Sequence, residues 1–153
     1  MNIIIEKKQF NLEMQQEARK LILNAQDQLS KHPEAVFGDS DLCPLKHSFA
    51  DGQYVREMFI PKGVMIIGKI HKHSHPNFLL KGKVSVFTEH EGVKELEAPL
   101  SMISIPGTKR VVYAHEDTIW VTIHKTNKIN LDEIEEEIIA KDFKEYDNLI
   151  GGG

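Results

Sequence analysis

The chain has 153 residues, of which 41% are hydrophobic and 27% charged, and its formal net charge is -4. That size is enough for one domain with a real core, and the composition is that of an ordinary globular protein. Lys and Arg are interspersed with Asp and Glu along most of the chain, so nothing in the charge favours nucleic acid, whose phosphates call for clustered cations.

A single cysteine, Cys43, rules out an intrachain disulfide. It lies in DSDLCPLKHS with no base motif beside it, and is expected to be a small, partly buried residue. No apolar run approaches the roughly 18 residues of a membrane span. The opening MNIIIEKKQF has the wrong charge order and no cleavage site for a secretory signal. A cytoplasmic protein without a membrane partner is the expectation.

In chain order, Met14, Ala18, Leu21, Ile22, Ala25 and Leu29 recur at three- and four-residue steps. They predict an amphipathic helix from Asn11 to about Ser30, with Asn11 as N-cap. Residues 34–52, rich in Asp, Ser, Pro and Gly, read as a long connection, so 1–52 is a helix and its linker. From 53 to 125 the rhythm changes to short runs rich in Val, Ile, Phe and Thr, broken by turn residues. The predicted strands are Tyr54–Ile60, Val64–His71, Phe78–Lys81, Lys83–Glu89, Val93–Ala98, Leu100–Ile105, Arg110–His115 and Thr118–His124. Eight short strands without intervening helices imply a mainly β fold, a jelly roll or closed barrel.

Residues 126–150 read as a C-terminal helix. Asn130 and Glu133 have the spacing of a capping box, and the acids from Asp132 to Glu137 crowd the end where the helix dipole favours negative charge. That run is therefore a solvated helix start rather than a cation site. Gly151–Gly153 reads as a disordered tail. The whole makes one domain without internal repeats.

The distinctive segment is IPKGVMIIGKIHKHSHPNFLLKGKV, Ile60 to Val84. Alternate side chains on a strand share a face, so His71 and His73 project together, and two ring nitrogens can share a divalent metal at about 2.0–2.1 Å. His75 continues the row unless Pro76 bends it. The segment resembles the first cupin motif, a Pro/Gly turn, a strand bearing H-x-H and a glycine turn, at Pro61, Gly63, His71-Lys72-His73 and Gly82. SIPGTKRVVYAH resembles the second motif at Pro106 and Gly107. More narrowly, the H-x-H, Asn77, "PGTKR" and "WVTIH" string resembles small cupin-like proteins of phages and bacteria.

The resemblance, which covers roughly residues 53–125, implies a cupin-type jelly-roll β-barrel with an N-terminal and a C-terminal helix. It also implies a divalent transition metal (Fe, Mn, Ni or Zn) in the barrel mouth, and a homo-oligomer, most simply a dimer. The sequence departs from the motifs at two ligand positions. Asn77 falls near the customary carboxylate, and Arg110, permanently protonated, stands where the second-motif histidine belongs.

The candidate metal ligands are thus His71, His73, His75 and His124, and the candidate ligand-binding residues are Asn77, Arg110 and Thr122. The last two strands are expected to form a hairpin, in which a two-residue loop puts Arg110 on the face of Ile119, Val121 and Ile123. A three-residue loop puts it with Trp120, Thr122 and His124. The second register is favoured because it gathers the polar set. Arg110 then either holds an anionic group by charge-assisted hydrogen bonds or makes a barrel-mouth salt bridge. Of Arg56 and Glu57 on the first strand, one is expected to point inward, while His32, His47 and His90 read as surface residues.

Two functional classes follow for a small-molecule site. One is a metal-dependent enzyme, in which three neutral imidazoles leave coordination positions open. The other is a non-catalytic binding or assembly module. No nucleophilic triad and no phosphate-cradling glycine loop is present.

Overall fold

The computed structural model describes residues 2–151, with side chains from residue 12 onward. Helix α1 (Asn2–Ser30) leads into strands β1 (Leu45–Ala50), β2 (Gln53–Ile60), β3 (Met65–Ile67), β4 (Ile70–His71) and β5 (His75–Lys81). There follow β6 (Lys83–Thr88), β7 (Gly92–Glu97), β8 (Leu100–Ser104), β9 (Val111–Ala114) and β10 (Thr118–Lys125). The chain closes with α2 (Leu131–Ile138), β11 (Ile139–Ala140) and α3 (Phe143–Gly151).

The strands form a five-stranded sheet in the order β1-β2-β10-β5-β8, facing a four-stranded sheet in the order β3-β9-β6-β7, with β4 and β11 as a separate pair. All pairings are antiparallel. This is the jelly roll expected from the strand rhythm.

Alternation fills the space between the sheets. Ile60, Leu79 and Trp120 from the first sheet meet Val84, Val86, Val112 and Ala114 from the second, all buried. Each of the valine, leucine and isoleucine side chains contributes roughly 1.5–3 kcal/mol through burial.

Several expectations need correction. The stretch read as a connection contains β1, which joins β2 through the two-residue turn Asp51-Gly52, where Gly52 has φ +72°. Its mostly exposed side chains erase the apolar alternation that marks a strand. Helix α1 passes through Asn11 without a break, so Asn11 is not its cap; the periodicity located its packed half, where Ala18 and Ile22 are buried. The single strand expected over Val64–His71 is interrupted at Gly68-Lys69, where the Gly68 amide bonds to the Arg110 carbonyl.

β5 begins at His75 and contains Pro76. Its pairing to β10 starts only at Asn77, so the missing N–H leaves that ladder intact. The C-terminal helix is two helices divided by β11. Asn130 caps α2 as predicted, accepting from the amides of Asp132 and Glu133. Gly151 ends α3, while Gly152 and Gly153 lie outside the described residues.

The assumed hairpin between the last two barrel strands does not exist. β9 pairs with β3 and β6, whereas β10 pairs with β2 and β5. They stand in opposite sheets, so neither loop register applies.

Candidate metal centre

The site is made by alternation carried one step beyond the apolar core. On β10 the inward residues run Thr118, Trp120, Thr122, His124. The neighbouring β2 places Met58, Arg56 and Tyr54 opposite Trp120, Thr122 and His124. On the other side β5 sets Leu79 and Asn77 opposite Trp120 and Thr122. One further step puts His75 and His124 together at the same end.

His71 reaches them from β4. Three backbone contacts hold its segment: the pairing of His71 with Ile139 of β11, the Lys72 amide on the Ile138 carbonyl at 2.8 Å, and the Gly107 amide on the His71 carbonyl at 2.8 Å. Gly107 (φ +81°) packs so tightly against the Tyr146 ring of α3 that an added Cβ would lie 2.4 Å from it. The PGTKR loop and the C-terminal elements therefore act together as the clamp on His71.

The rings form a compact triangle. Centroid separations are 4.4 Å for His71–His75, 4.6 Å for His75–His124 and 5.1 Å for His71–His124, the last pair nearly parallel at 6°. One nitrogen from each lies within 4.8 Å of the other two. His75 and His124 are buried.

Two ring nitrogens, His71 Nδ1 and His75 Nε2, are buried without a hydrogen-bond partner. Buried polar atoms are ordinarily satisfied, so this pair points to a missing partner. Burial first, and then the neighbouring charges, depress all three imidazoles: His71 to about 2, His124 to about 3 and His75 to about 4. They are neutral at neutral pH, which is the form that binds metal. Neutral, convergent, partly unsatisfied imidazoles fit a divalent transition metal with open positions.

His73 does not belong to this set. β4 ends at His71, the chain bends through Lys72–Ser74, and the His73 side chain is exposed. The two-residue period that would align it with His71 requires a strand that is not there. Its carbonyl lies 3.4 Å from His75 Nδ1. The spacing of the trio is thus 71, 75 and 124, rather than an H-x-H row.

The other candidates fall into place around the triangle. Thr122 Oγ1 is 2.9 Å from His124 Nε2. Asn77 is buried, with its amide donating to the His75 carbonyl (3.3 Å) and Ser104 Oγ (2.6 Å) while its oxygen accepts from Trp120 Nε1 (3.0 Å). Both of its donors are spent, so it braces the site rather than presenting a free amide to a ligand. Arg110 donates to Ser104 Oγ and lies 5.8 Å from the Trp120 ring centroid. Arg110, Trp120 and Thr122 do share one cavity, as expected, but by facing each other across the two sheets. Arg56 is the inward charge of β2 and lines the same cavity, whose volume is ≈ 70 Å³.

Tyr54 is buried beneath His124, its ring 5.9 Å away, and its hydroxyl bonds to His47 Nδ1 at 2.7 Å. His47 is therefore part of the support, although its surroundings on an exposed strand gave no sign of it. His115 lies outside the site, bonded to Ser85 with Glu95 nearby. Cys43 is a buried free thiol whose pKa burial raises, which keeps it unreactive. A wider depression of ≈ 470 Å³ runs along α3 between residues such as Lys141, Glu145 and Asn148. It gathers no ligating cluster, so the small cavity beside the histidines is the better candidate.

No family model matches the sequence, and no curated protein matches it. Solved structures do. Ectoine synthase from P. lautus superposes with a TM-score of 0.54 at 10% identity, over 65% of this chain and 75% of that one. KdgF from Halomonas sp. gives 0.50 at 13%, over 60% and 86%. A Klebsiella pneumoniae protein with a double-stranded β-helix domain gives 0.50 at 16%, over 62% and 86%. At such identities the likeness speaks for the fold alone.

Proposed function

We propose that this chain, whose fold is that of the cupins, binds a divalent transition metal through His71, His75 and His124 and receives a small molecule in the adjoining cavity. The observation that carries the reading is the triangle of neutral imidazoles with two orphaned ring nitrogens. A bound Fe(II), Mn(II), Ni(II) or Zn(II) would supply Lewis acidity and open positions for a substrate oxygen.

The chain's own residues do the remainder. Thr122 and Tyr54 fix the His124 ring, while the clamp of β11 and Gly107 fixes His71. Trp120 and Met58 wall the cavity, and Arg110 orients a bound anion. Among the named neighbours, ectoine synthase is by its name an enzyme that makes a small molecule on this fold.

Metal analysis of protein purified without an affinity tag, followed by titration, tests the reading. About one equivalent of metal is expected in the wild type, and loss of binding in His75→Ala and His124→Ala. Less than a tenth of an equivalent together with no uptake on titration would remove the metal. His73→Ala should bind as the wild type does.

The reading includes a homodimer in the reducing cytoplasm. Support comes from the free thiol of Cys43 and from the exposed apolar residues Met14 and Leu21 along α1. Sedimentation showing only monomer at high concentration would exclude the dimer. No described helix is long and apolar enough to cross a membrane.

A further inference from the structure

The cavity has a charge imbalance that the metal reading does not explain. Two guanidiniums, Arg56 and Arg110, line it together with His71, His75 and Lys69, and no Asp or Glu does; of the three cations only Lys69 is ion-paired, to Glu135. Neither arginine makes an ion pair among the described residues. Arg56 has no side-chain hydrogen bond there, and Arg110 has only the neutral Ser104 hydroxyl. The carboxylates whose fields reach them, Glu135 for Arg56 and Glu91 for Arg110, are ion-paired to Lys69 and Lys94. Burial depresses both arginines, Arg110 to about 10, as expected for cations lacking their counter-ions.

Buried charges are ordinarily paired. Here the lining supplies two cations without an ion pair and no anion to face them, and a divalent metal would add to the excess. A cavity of ≈ 70 Å³ holds a molecule of only a handful of heavy atoms. The planar guanidinium fork matches carboxylate and phosphate oxygens in pairs.

We propose that the site takes a small dianion, of the dicarboxylate or phosphate class, held between the guanidiniums of Arg56 and Arg110. The inference rests on the reading of this cavity as the small-molecule site, and it names the class of molecule. Arg56 and Arg110 are binding residues here, and Ser104 positions Arg110.

Trp120, the chain's one tryptophan, lies beside Arg110 and reports on occupancy. Chelator-treated and Co(II)-titrated protein would each be titrated with succinate, its neutral isostere succinamide, and inorganic phosphate, following Trp120 fluorescence and calorimetric heat. At least one dianion should bind ten-fold or more tightly than succinamide, and whether succinate or phosphate prevails decides between the two sources.

Arg110→Gln and Arg56→Gln should each weaken that dianion at least ten-fold, and Arg110→Lys, which keeps the charge without the fork, should fall between. Equal binding of succinamide, no binding of either dianion, or unchanged dianion affinity in the two Gln variants overturns the proposal. If a Gln variant fails to fold, Arg110→Lys and the succinamide comparison still decide it. The Co(II) absorption band separates the two readings. Dianion binding without that band sinks the metal and leaves this inference standing, whereas the band without dianion binding does the reverse.

Discussion

The two ends of the barrel interior are built from the same strands and obey opposite rules. At one end Ile60, Leu79, Trp120, Val84, Val86, Val112 and Ala114 close an apolar core whose polar groups are satisfied: the indole N–H donates to Asn77, and the neighbouring buried Thr118 hydroxyl donates to the Glu116 carbonyl. A few residues further along β2, β5 and β10, the inward positions become Arg56, His75 and His124, with two ring nitrogens unsatisfied and two guanidiniums unpaired by carboxylate. The first end lowers the free energy of folding. The second raises it and is tolerated because the clamp of β11, Gly107 and Tyr146 holds His71 from outside. Strand geometry thus supplies the positions, and the sequence alone decides which end stabilises and which binds.

Acid should expose the contrast most strongly. Each histidine of the triangle has a folded-state pKa below its ordinary 6.5, so below that pH the unfolded chain binds more protons than the folded one. Their contribution is fully present above about pH 6.5 and is lost as pH falls toward the folded values of about 4 to 2. The slope is at most about 1.4 kcal/mol per pH unit for each ring, and His75, whose folded value is the highest of the three, gives the smallest total loss. In metal-free protein, urea midpoints at pH 7, 6 and 5 should fall steeply, and the double variant His71→Leu/His124→Leu should flatten the fall. A wild-type midpoint independent of pH over that range would contradict the neutral triangle.

The next largest effect lies at the apolar end. Trp120→Ala removes the largest side chain of the core and leaves the Asn77 oxygen without its donor. A loss of about 3–5 kcal/mol is expected by urea denaturation. Because Asn77 also braces His75 and Ser104, metal affinity should weaken as well. A loss below about 1 kcal/mol would show that the interior repacks freely and that the two ends are not mechanically joined.

Gly107→Ala tests the clamp from the other side. The added Cβ meets the Tyr146 ring and the residue must keep a left-handed φ, at a cost of roughly 1–2 kcal/mol for the backbone alone. Thermal denaturation should show that loss. Metal affinity should also drop several-fold, because the Gly107 amide that fixes the His71 carbonyl is displaced. Stability lost with affinity unchanged would detach the clamp from the site.

What the sequence revealed divides along the same physical line. Most strands with one buried face were legible within a residue or two, since alternation writes burial directly; β5 begins three residues before the expected Phe78, and the run expected over Val64–His71 is broken in two. β1 was not, because its side chains face mostly solvent, and β11 was not, because IEEEIIAKDF keeps a helical period through the residues that leave the helix. All three members of the triangle were named, together with one residue outside it. His73 was added because a period of two presumes a strand that continues, and this one ends at His71. The face shared by Arg110 and Thr122 was anticipated for the wrong reason. Strands adjacent in sequence need not pair, and here β9 and β10 belong to opposite sheets. Arg56 was visible only as one of two charges on β2, since which of them turns inward depends on pairing that the sequence does not record.

The smallest expected effect has an opposite sign, which makes it the sharpest probe of the comparison. His71→Leu keeps an apolar body of similar reach and deletes a buried Nδ1 that has no partner. Leaving a buried polar group unsatisfied costs about 1–3 kcal/mol, part of which the substitution recovers and part of which imperfect packing returns. Metal-free protein should therefore be unchanged or more stable by up to about 1 kcal/mol at pH 7, while metal uptake is lost. The same residue type substituted for its likeness at the apolar end, Leu79→Ala, should cost about 2–5 kcal/mol and leave the ligating rings in place. A marked destabilisation by His71→Leu in chelator would mean that the imidazole is needed by the fold itself. The triangle would then be a structural feature of the barrel mouth rather than a site kept open for a metal.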